Sequence, residues 1–386
     1  MRIVYILKSL AMTAGVERVM ADKMNWFAEH GYEVIMVTYE QGQHPLAFPL
    51  HPSIRLVDLN TRFFIIGKIG LLKRIPMFVK LRRLFRSRLQ ALLNEVQPDV
   101  MVSTTYSIKL MDIILSIKTK ACRIVESHVA CYSITKTRDF RHRPVLRPLA
   151  FLYDRWMLGR VAKADQMVVL TNGDANDWRK YTFNVVVIPN PVTLYPEIIL
   201  PHDGSYHRIL CVGRLHEQKG FDMLINAFAL IACQCLDWII DIYGDGPDKT
   251  MLTEKIHQYN LDGRIKINPP TSTIYDEYQR SDFFVLCSRY EGLPLVLNEA
   301  MSCGIPCVAF KCKYGPEDVI EDQKTGLLVN NGDIQDLANK ILWMIRHTDD
   351  RLRMGRKARE GASRYEKSVI MSQWIDLFED NRKTMN

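Results

Sequence analysis

The chain has no Cys-x-x-Cys pair, and its cysteines number nine, an odd count. That speaks against a zinc ribbon and against a paired disulfide framework, and for a reducing compartment. Cys303, Cys307 and Cys312 do cluster; thiols buried as small hydrophobes are the favoured reading over metal ligands. No stretch approaches the roughly 18 consecutive apolar residues of a membrane-spanning helix. The short apolar run from Ile3 to Leu7 precedes a helical pattern and no small-residue cleavage site, so it reads as a buried strand and not as a signal peptide. There is no Gly-x-Gly-x-x-Gly fingerprint, so a nicotinamide cofactor is not expected. No nucleic-acid module is present either, and nucleic acid is not expected as a partner.

What is present is an alternating α/β pattern long enough for two domains. The 386 residues exceed the usual span of one domain. The run Arg2 to Leu7, a turn holding Ala14 and Gly15, a helix from about Val16 to His30 and the run Glu33 to Tyr39 make a βαβ unit, the building block of a parallel sheet. Further strands are expected near 99–103, 123–126, 166–170 and 185–188. Asn190-Pro191-Val192, Pro196 and Pro201-His202-Asp203-Gly204 read as a linker. The alternation then restarts, with strands expected near 208–212, 238–243, 265–267, 283–287, 307–310 and 326–329, and helices Phe221 to Ile231 and Leu297 to Cys303. The reading is residues 1–190, residues 191–366, and a final amphipathic helix within 367–386 carrying Trp374, Ile375, Leu377 and Phe378.

Three loops that follow strands carry the chemistry. In Ser288-Arg289-Tyr290-Glu291-Gly292-Leu293-Pro294-Leu295, a strand runs through a turn into a helix. Gly292 lets a ligand approach the backbone, Pro294 suits the first helical position, and the helix start attracts an anion such as diphosphate. Glu291 and Glu299 stand eight residues apart and can accept hydrogen bonds from sugar hydroxyls on either side of that anion; Glu299 as a solvated helix residue is the other reading. In Gly213-Arg214-Leu215 with Lys219-Gly220, Arg214 can fork onto a phosphate and Lys219 adds a point charge, or both are wet loop cations. Tyr243-Gly244-Asp245-Gly246-Pro247 is a tight turn, beside a ligand or plain. His128, after the strand ending at Glu126, is either a substrate contact or a structural histidine.

Charge is uneven. Residues 1–200 hold 28 Lys and Arg against 16 Asp and Glu, whereas residues 201–386 hold 23 against 27. The stretch 59–94 includes Lys73, Arg74, Lys80, Arg82, Arg83 and Arg86 and no acidic residue, with apolar residues at helical spacing from about residue 71. A basic amphipathic helix of this kind suits an anionic membrane surface; a core-facing helix with a solvated charged side is the alternative. Lys136, Arg138, Arg141, Arg143 and Arg147 can extend the patch.

The motifs Gly213-Arg214-Leu215…Lys219-Gly220, Tyr243-Gly244-Asp245-Gly246-Pro247, Ser288 to Gly292 with Glu299-Ala300-Met301, Gly304-Ile305-Pro306 and Thr325-Gly326-Leu327-Leu328-Val329 resemble, in order and spacing, the retaining glycosyltransferases of family four. The resemblance is thinner over Gly15-Val16-Glu17-Arg18, His128 and Ile188-Pro189-Asn190-Pro191-Val192. It implies a GT-B fold: two Rossmann-like doubly wound domains facing across a cleft, the last helix crossing back to the first. It implies a donor site of Gly15, Arg214, Lys219, Gly244, Gly292, Leu293, Pro294, Leu295 and Glu299. Catalysis would fall to Glu291, His128, Arg214 and Lys219. It further implies a UDP- or GDP-sugar donor, a lipid-linked or glycan acceptor, no metal or other cofactor, and a cytoplasmic enzyme peripheral to the inner face of the cell membrane. Two departures stand out: Ala14 replaces the first of the family's paired glycines, and Asn268-Pro269-Pro270 stands where a glycine is common.

Two other functions are open to such a chain. A nucleotide-sugar epimerase needs no acceptor and no membrane, and the basic stretch argues against it. A non-catalytic binding protein is opposed by the joint presence of Arg214, Lys219, Glu291 and Glu299.

Overall fold

The computed structural model describes residues 1–12, 15–135, 140, 143, 145–199 and 202–385, with backbone alone for 382–385. Ala14, Lys136, Arg138, Arg141 and Pro201 lie outside the described residues. Two compact units emerge, Met1–Ile188 with Met371–Asn386, and Pro189–Ile370.

The first unit is a seven-stranded parallel sheet: β1 (Arg2–Leu7), β2 (Glu33–Thr38), β3 (Arg55–Asp58), β4 (Val100–Thr104), β5 (Cys122–Glu126), β6 (Gln166–Val169) and β7 (Val185–Val187). Their order is β3-β2-β1-β4-β5-β6-β7, so the winding reverses between β1 and β4. The inner strands are apolar on both faces because helices cover both. One core joins Val4, Ile6 and Val37 to Phe85, Leu89 and Leu93 of the helix Leu71–Val96, and another joins Val125 and Met167 to Met157 and Trp178. The expected strands appear within a residue or two, but β3 was not expected. It is an edge strand with largely exposed residues, so no apolar run marks it. Gly15 does not lie in a turn; it is the first residue of the helix Gly15–Glu29. The helix Lys367–Met385 packs into this unit from Met371 onward, where Trp374 and Phe378 are buried and the Phe378 ring lies 5.4 Å from that of Phe27.

The second unit is a six-stranded parallel sheet: β8 (Arg208–Val212), β9 (Ile239–Tyr243), β10 (Ile265–Asn268), β11 (Phe283–Leu286), β12 (Cys307–Phe310) and β13 (Gly326–Val329). The order β10-β9-β8-β11-β12-β13 reverses between β8 and β11. Ile209, Cys211, Phe283, Val285 and Val308 pack with Leu224 and Phe228 of the helix Phe221–Ile231 and with Leu337 and Ile341 of the helix Ile334–Arg346. Residues 192–196, which read as linker, are bonded into this unit: the Val192 N–H donates to Tyr365 O at 2.8 Å, and the Leu194 N–H to the Tyr275 hydroxyl at 2.9 Å. Cys303, Cys307 and Cys312 are buried, and burial pushes the Cys303 and Cys312 thiols up to about 12, so they pack as neutral groups.

Candidate active site

In an open parallel sheet, ligands collect at the carboxyl ends of the strands where the winding reverses. In the second unit that point lies between β8 and β11, and the loops after both strands carry the candidate residues. Lys219 Nζ donates to Glu291 Oε1 at 2.6 Å, and Ser288 Oγ donates to the same oxygen at 2.6 Å. Glu291 is buried and Lys219 half-buried, so the pair is partly shielded from water. An ammonium has three donors, and two remain for another acceptor.

Backbone contacts hold the two loops in register. Arg289 N–H donates to Gln218 O at 2.8 Å, and Gln218 Nε2 to Tyr290 O at 3.0 Å. Arg289 forks onto Asp222 at 2.8 and 2.9 Å, the bidentate geometry that fixes a planar guanidinium. Gly220 adopts φ 67°, and a Cβ there would lie 2.0 Å from Cys287 O, so only glycine lets the two loops touch. The β9 loop locks onto the same structure. A Cβ on Gly244 would lie 1.9 Å from Gly213 O, and the Gly244 N–H donates to Asn268 O at 3.0 Å. This glycine serves the packing of one loop on the next, and its N–H is already used.

Arg214 is exposed and makes no hydrogen bond or ion pair among the described residues. The helix after β11 runs Leu295–Ser302, and Pro294 precedes it with φ −75° and ψ 97°. Pro294 is therefore the cap, not the first helical residue: its ψ is extended. Among the described residues the backbone N–H groups of Gly292 and Leu293 have no protein acceptor, so they and the helix dipole present a positive edge. Glu299 is not a freely solvated helix residue. It accepts from the Tyr278 hydroxyl at 3.1 Å and from Thr193 Oγ1 at 3.2 Å. Neither Tyr278 nor Thr193 was singled out in the sequence, and Ser288 stood in the motif without a role. Tyr278 lies 21 residues before Glu299 and Thr193 lies 106 before it, and no local pattern marks such partners.

In the first unit the winding reverses between β1 and β4, and a cavity of about 300 Å³ lies there, lined among others by Leu7, Leu10, Met12, Val16, Met20 and Tyr106. His128 stands beyond β5 with its ring fully buried. Nε2 lies 3.3 Å from Glu126 Oε1 and 3.2 Å from Met20 Sδ. Glu126 in turn pairs with Lys23, and both carboxylate and ammonium are about 1% exposed. Burial alone would raise the Glu126 carboxyl, but the charges of Lys23 and His128 prevail and bring it down to about 2. The Lys23 ammonium lies 3.6 Å from the ring centroid of Trp374, a cation–π contact that fastens the last helix.

The cations of 59–94 divide. Arg82 pairs with Asp112, Arg86 donates to Ser116 Oγ at 2.6 Å, and Arg74 Nε donates to Ile69 O at 3.1 Å. Lys73, Lys80 and Arg83 are exposed, and their side chains make no such bond among the described residues. No cluster of three or more His, Cys, Asp or Glu suited to a metal ion occurs among the described residues. No described helix is long and apolar enough to cross a membrane.

The model described as Glycosyl transferases group 1 matches residues 198–361, and that described as Glycosyltransferase Family 4 matches residues 13–194. An uncharacterized glycosyltransferase of Haemophilus influenzae is 26% identical over 97% of this chain and 98% of its own. The amylovoran biosynthesis glycosyltransferase AmsD of Erwinia amylovora is 26% identical over 97% and 99%. An α-1,4-N-acetyl-D-galactosaminyltransferase of Campylobacter jejuni, named for a diNAcBac-PP-undecaprenol-linked acceptor, is 23% identical over 98% of both chains. Among solved structures, S. aureus TarM in complex with UDP superposes with a TM-score of 0.73 at 17% identity over 98% of this chain and 99% of that one. Anabaena HepE in complex with UDP-glucose gives 0.71 at 18% over 98% and 99%. With both units matched by its models and both sheets wound as in GT-B enzymes, the chain belongs to glycosyltransferase family four.

Proposed function

We propose that this glycosyltransferase moves a sugar from a UDP- or GDP-sugar to a lipid-linked or polysaccharide acceptor in cell-surface glycan synthesis, with retained configuration and no metal. The observation that carries the reading is the set of charges at the β8–β11 switch point: free Arg214, Lys219 held by Glu291 at 2.6 Å, and the unused N–H groups of Gly292 and Leu293. Departure of a nucleoside diphosphate builds negative charge on the leaving oxygen, and donors already fixed in place stabilise it without reorganising. Arg214 and Lys219 take the diphosphate, the start of the Leu295–Ser302 helix assists, and Gly244 shapes the loop beneath. Glu291 accepts from hydroxyls of the transferred sugar. Glu299, oriented by Tyr278 and Thr193, accepts from the ribose.

The first unit supplies the acceptor's place, with the apolar cavity at the β1–β4 switch point receiving the acceptor's end, while the backbone at the Gly15 helix start serves the donor. His128 positions the end of β5 from within. The acceptor attacks on the face the diphosphate leaves, with the leaving phosphate as base. UDP is the first donor nucleotide to test, since TarM and HepE were both solved with UDP or UDP-glucose. The Campylobacter relative's name points to a polyprenyl-linked acceptor, and the AmsD name to an exopolysaccharide. With such acceptors, the proposed enzyme works peripherally at the inner face of the cell membrane.

Incubation with UDP-sugars alone and with membrane extract tests the reading. The expected product is sugar bound to lipid or glycan, formed only when extract is present. A changed sugar on intact nucleotide identifies an epimerase instead. A trapped glycosyl–protein adduct rules out same-face attack.

A further inference from the structure

The helix Arg147–Leu158 was not marked in the sequence as anything beyond a continuation of the basic stretch. In the structure it has two apolar sides. Ala150, Met157 and Leu158 face the core. Leu149, Leu152, Tyr153 and Trp156 recur at i, i+3, i+4 and i+7, which places them on one stripe, and that stripe is in water: Leu149 is 66% exposed and Trp156 61%. The helix Leu71–Val96 also leaves apolar residues in water, in its first turns. It buries Leu81, Phe85, Leu89 and Leu93, while Leu72, Ile75 and Val79, at i, i+3 and i+7, stay exposed, Leu72 at 95%. A helix on a soluble domain needs one apolar stripe, and a second one facing water marks an interaction surface.

The helix Leu71–Val96 and the short turn that follows Leu158 share an anchor. Arg82 and Arg160 each donate to Lys109 O at 3.0 Å, and both pair with Asp112. The Arg160 guanidinium also stacks 4.1 Å from the Trp156 ring centroid. Beside Leu72, Ile75 and Val79 stand exposed Lys73, Lys80 and Arg83, with no acidic residue from 59 to 94.

We propose that these two stripes together form a docking surface for an anionic lipid bilayer. Leu72, Ile75, Val79, Leu149, Leu152 and Trp156 enter the acyl boundary, and Lys73, Lys80 and Arg83 meet the lipid phosphates. A second copy of the chain would set cations against cations, whereas a bilayer supplies both the apolar layer and the opposite charge. The inference deepens the proposed function, and rests on it for the lipid-linked class of acceptor.

The test is sedimentation of the full chain with phosphatidylcholine vesicles, with and without phosphatidylglycerol. Binding is expected only with the anionic lipid, weakening as salt rises. The triple variant Leu149→Ser, Leu152→Ser, Trp156→Ser should lose at least about tenfold in partition. Trp156→Phe should keep binding but lose quenching of tryptophan fluorescence by lipids brominated in the chain. Equal partition of the triple variant and wild type overturns the proposal. So does a wild-type dimer in light scattering that the triple variant abolishes, since the face is then an interface between copies. UDP titration of the same proteins keeps the two readings apart: vesicle binding without nucleotide binding sinks the donor assignment and leaves the surface standing.

Discussion

Lys23 and Glu126 form an ion pair with both side chains about 1% exposed, and breaking such a pair from one side leaves a buried charge without compensation. Glu126→Ala should therefore destabilise the chain by about 3–5 kcal/mol, read as a shift in the urea unfolding curve. The pH dependence follows from the same group. Its carboxyl is depressed in the folded state from 4.5 to about 2, so its contribution is complete above pH 4.5 and fades as the pH falls toward 2. Acid unfolding should be less steep across that window in Glu126→Gln, Lys23→Met, where the pair is gone; an equally steep acid transition argues against this origin. None of this was legible in the sequence. Lys23 lies in an amphipathic helix, where a lysine is expected to face water, and its partner is 103 residues away. His128 read as a substrate contact or a structural histidine from its place after a strand, and as catalytic from the resemblance; the structure places its ring inside the unit, beside Glu126 and Met20.

At the scale of elements, buried parallel strands were readable because they must be apolar on both faces, and so were the loops that follow them, since glycine, proline and charge punctuate the pattern. β3 was not readable, because an edge strand exposed along most of its length carries no such run. The helix Arg147–Leu158 was not read from the sequence, where only Arg147 was marked, as part of a basic run; apolar residues on two sides blur the single stripe that identifies an amphipathic helix. Within the candidate site, Arg214, Lys219, Glu291 and Glu299 could be picked from local motifs; Tyr278 and Thr193, which orient Glu299, come from distant segments. Gly220→Ala should test the loop junction. With φ 67° and no room for a Cβ, the variant should lose more than about 1 kcal/mol of stability in denaturant titration. Glu299→Ala should lower nucleotide-sugar affinity by about tenfold to a hundredfold, the loss of roughly 1.5–3 kcal/mol in charge-assisted hydrogen bonds, with the circular dichroism unchanged. Unaltered affinity would remove the ribose role from Glu299.

Over the whole molecule, the two units divide the charge as they divide the sequence: residues 1–200 are strongly basic and residues 201–386 slightly acidic. The basic share favours an anionic surface, and the donor's own anion is met by a few cations set at one sheet edge of an otherwise acidic half. A nucleotide held there at a hundred times its dissociation constant should stabilise the folded chain by about 2.7 kcal/mol, visible as a raised unfolding temperature. The most direct measurement is calorimetric titration of the intact chain with UDP, GDP and ADP, repeated on Arg214→Ala and Lys219→Ala. Saturable binding of UDP or GDP that weakens at least about tenfold in both variants is the predicted result. Binding of none of the three nucleotides, or undiminished binding in both variants, would contradict the placement of the diphosphate between β8 and β11.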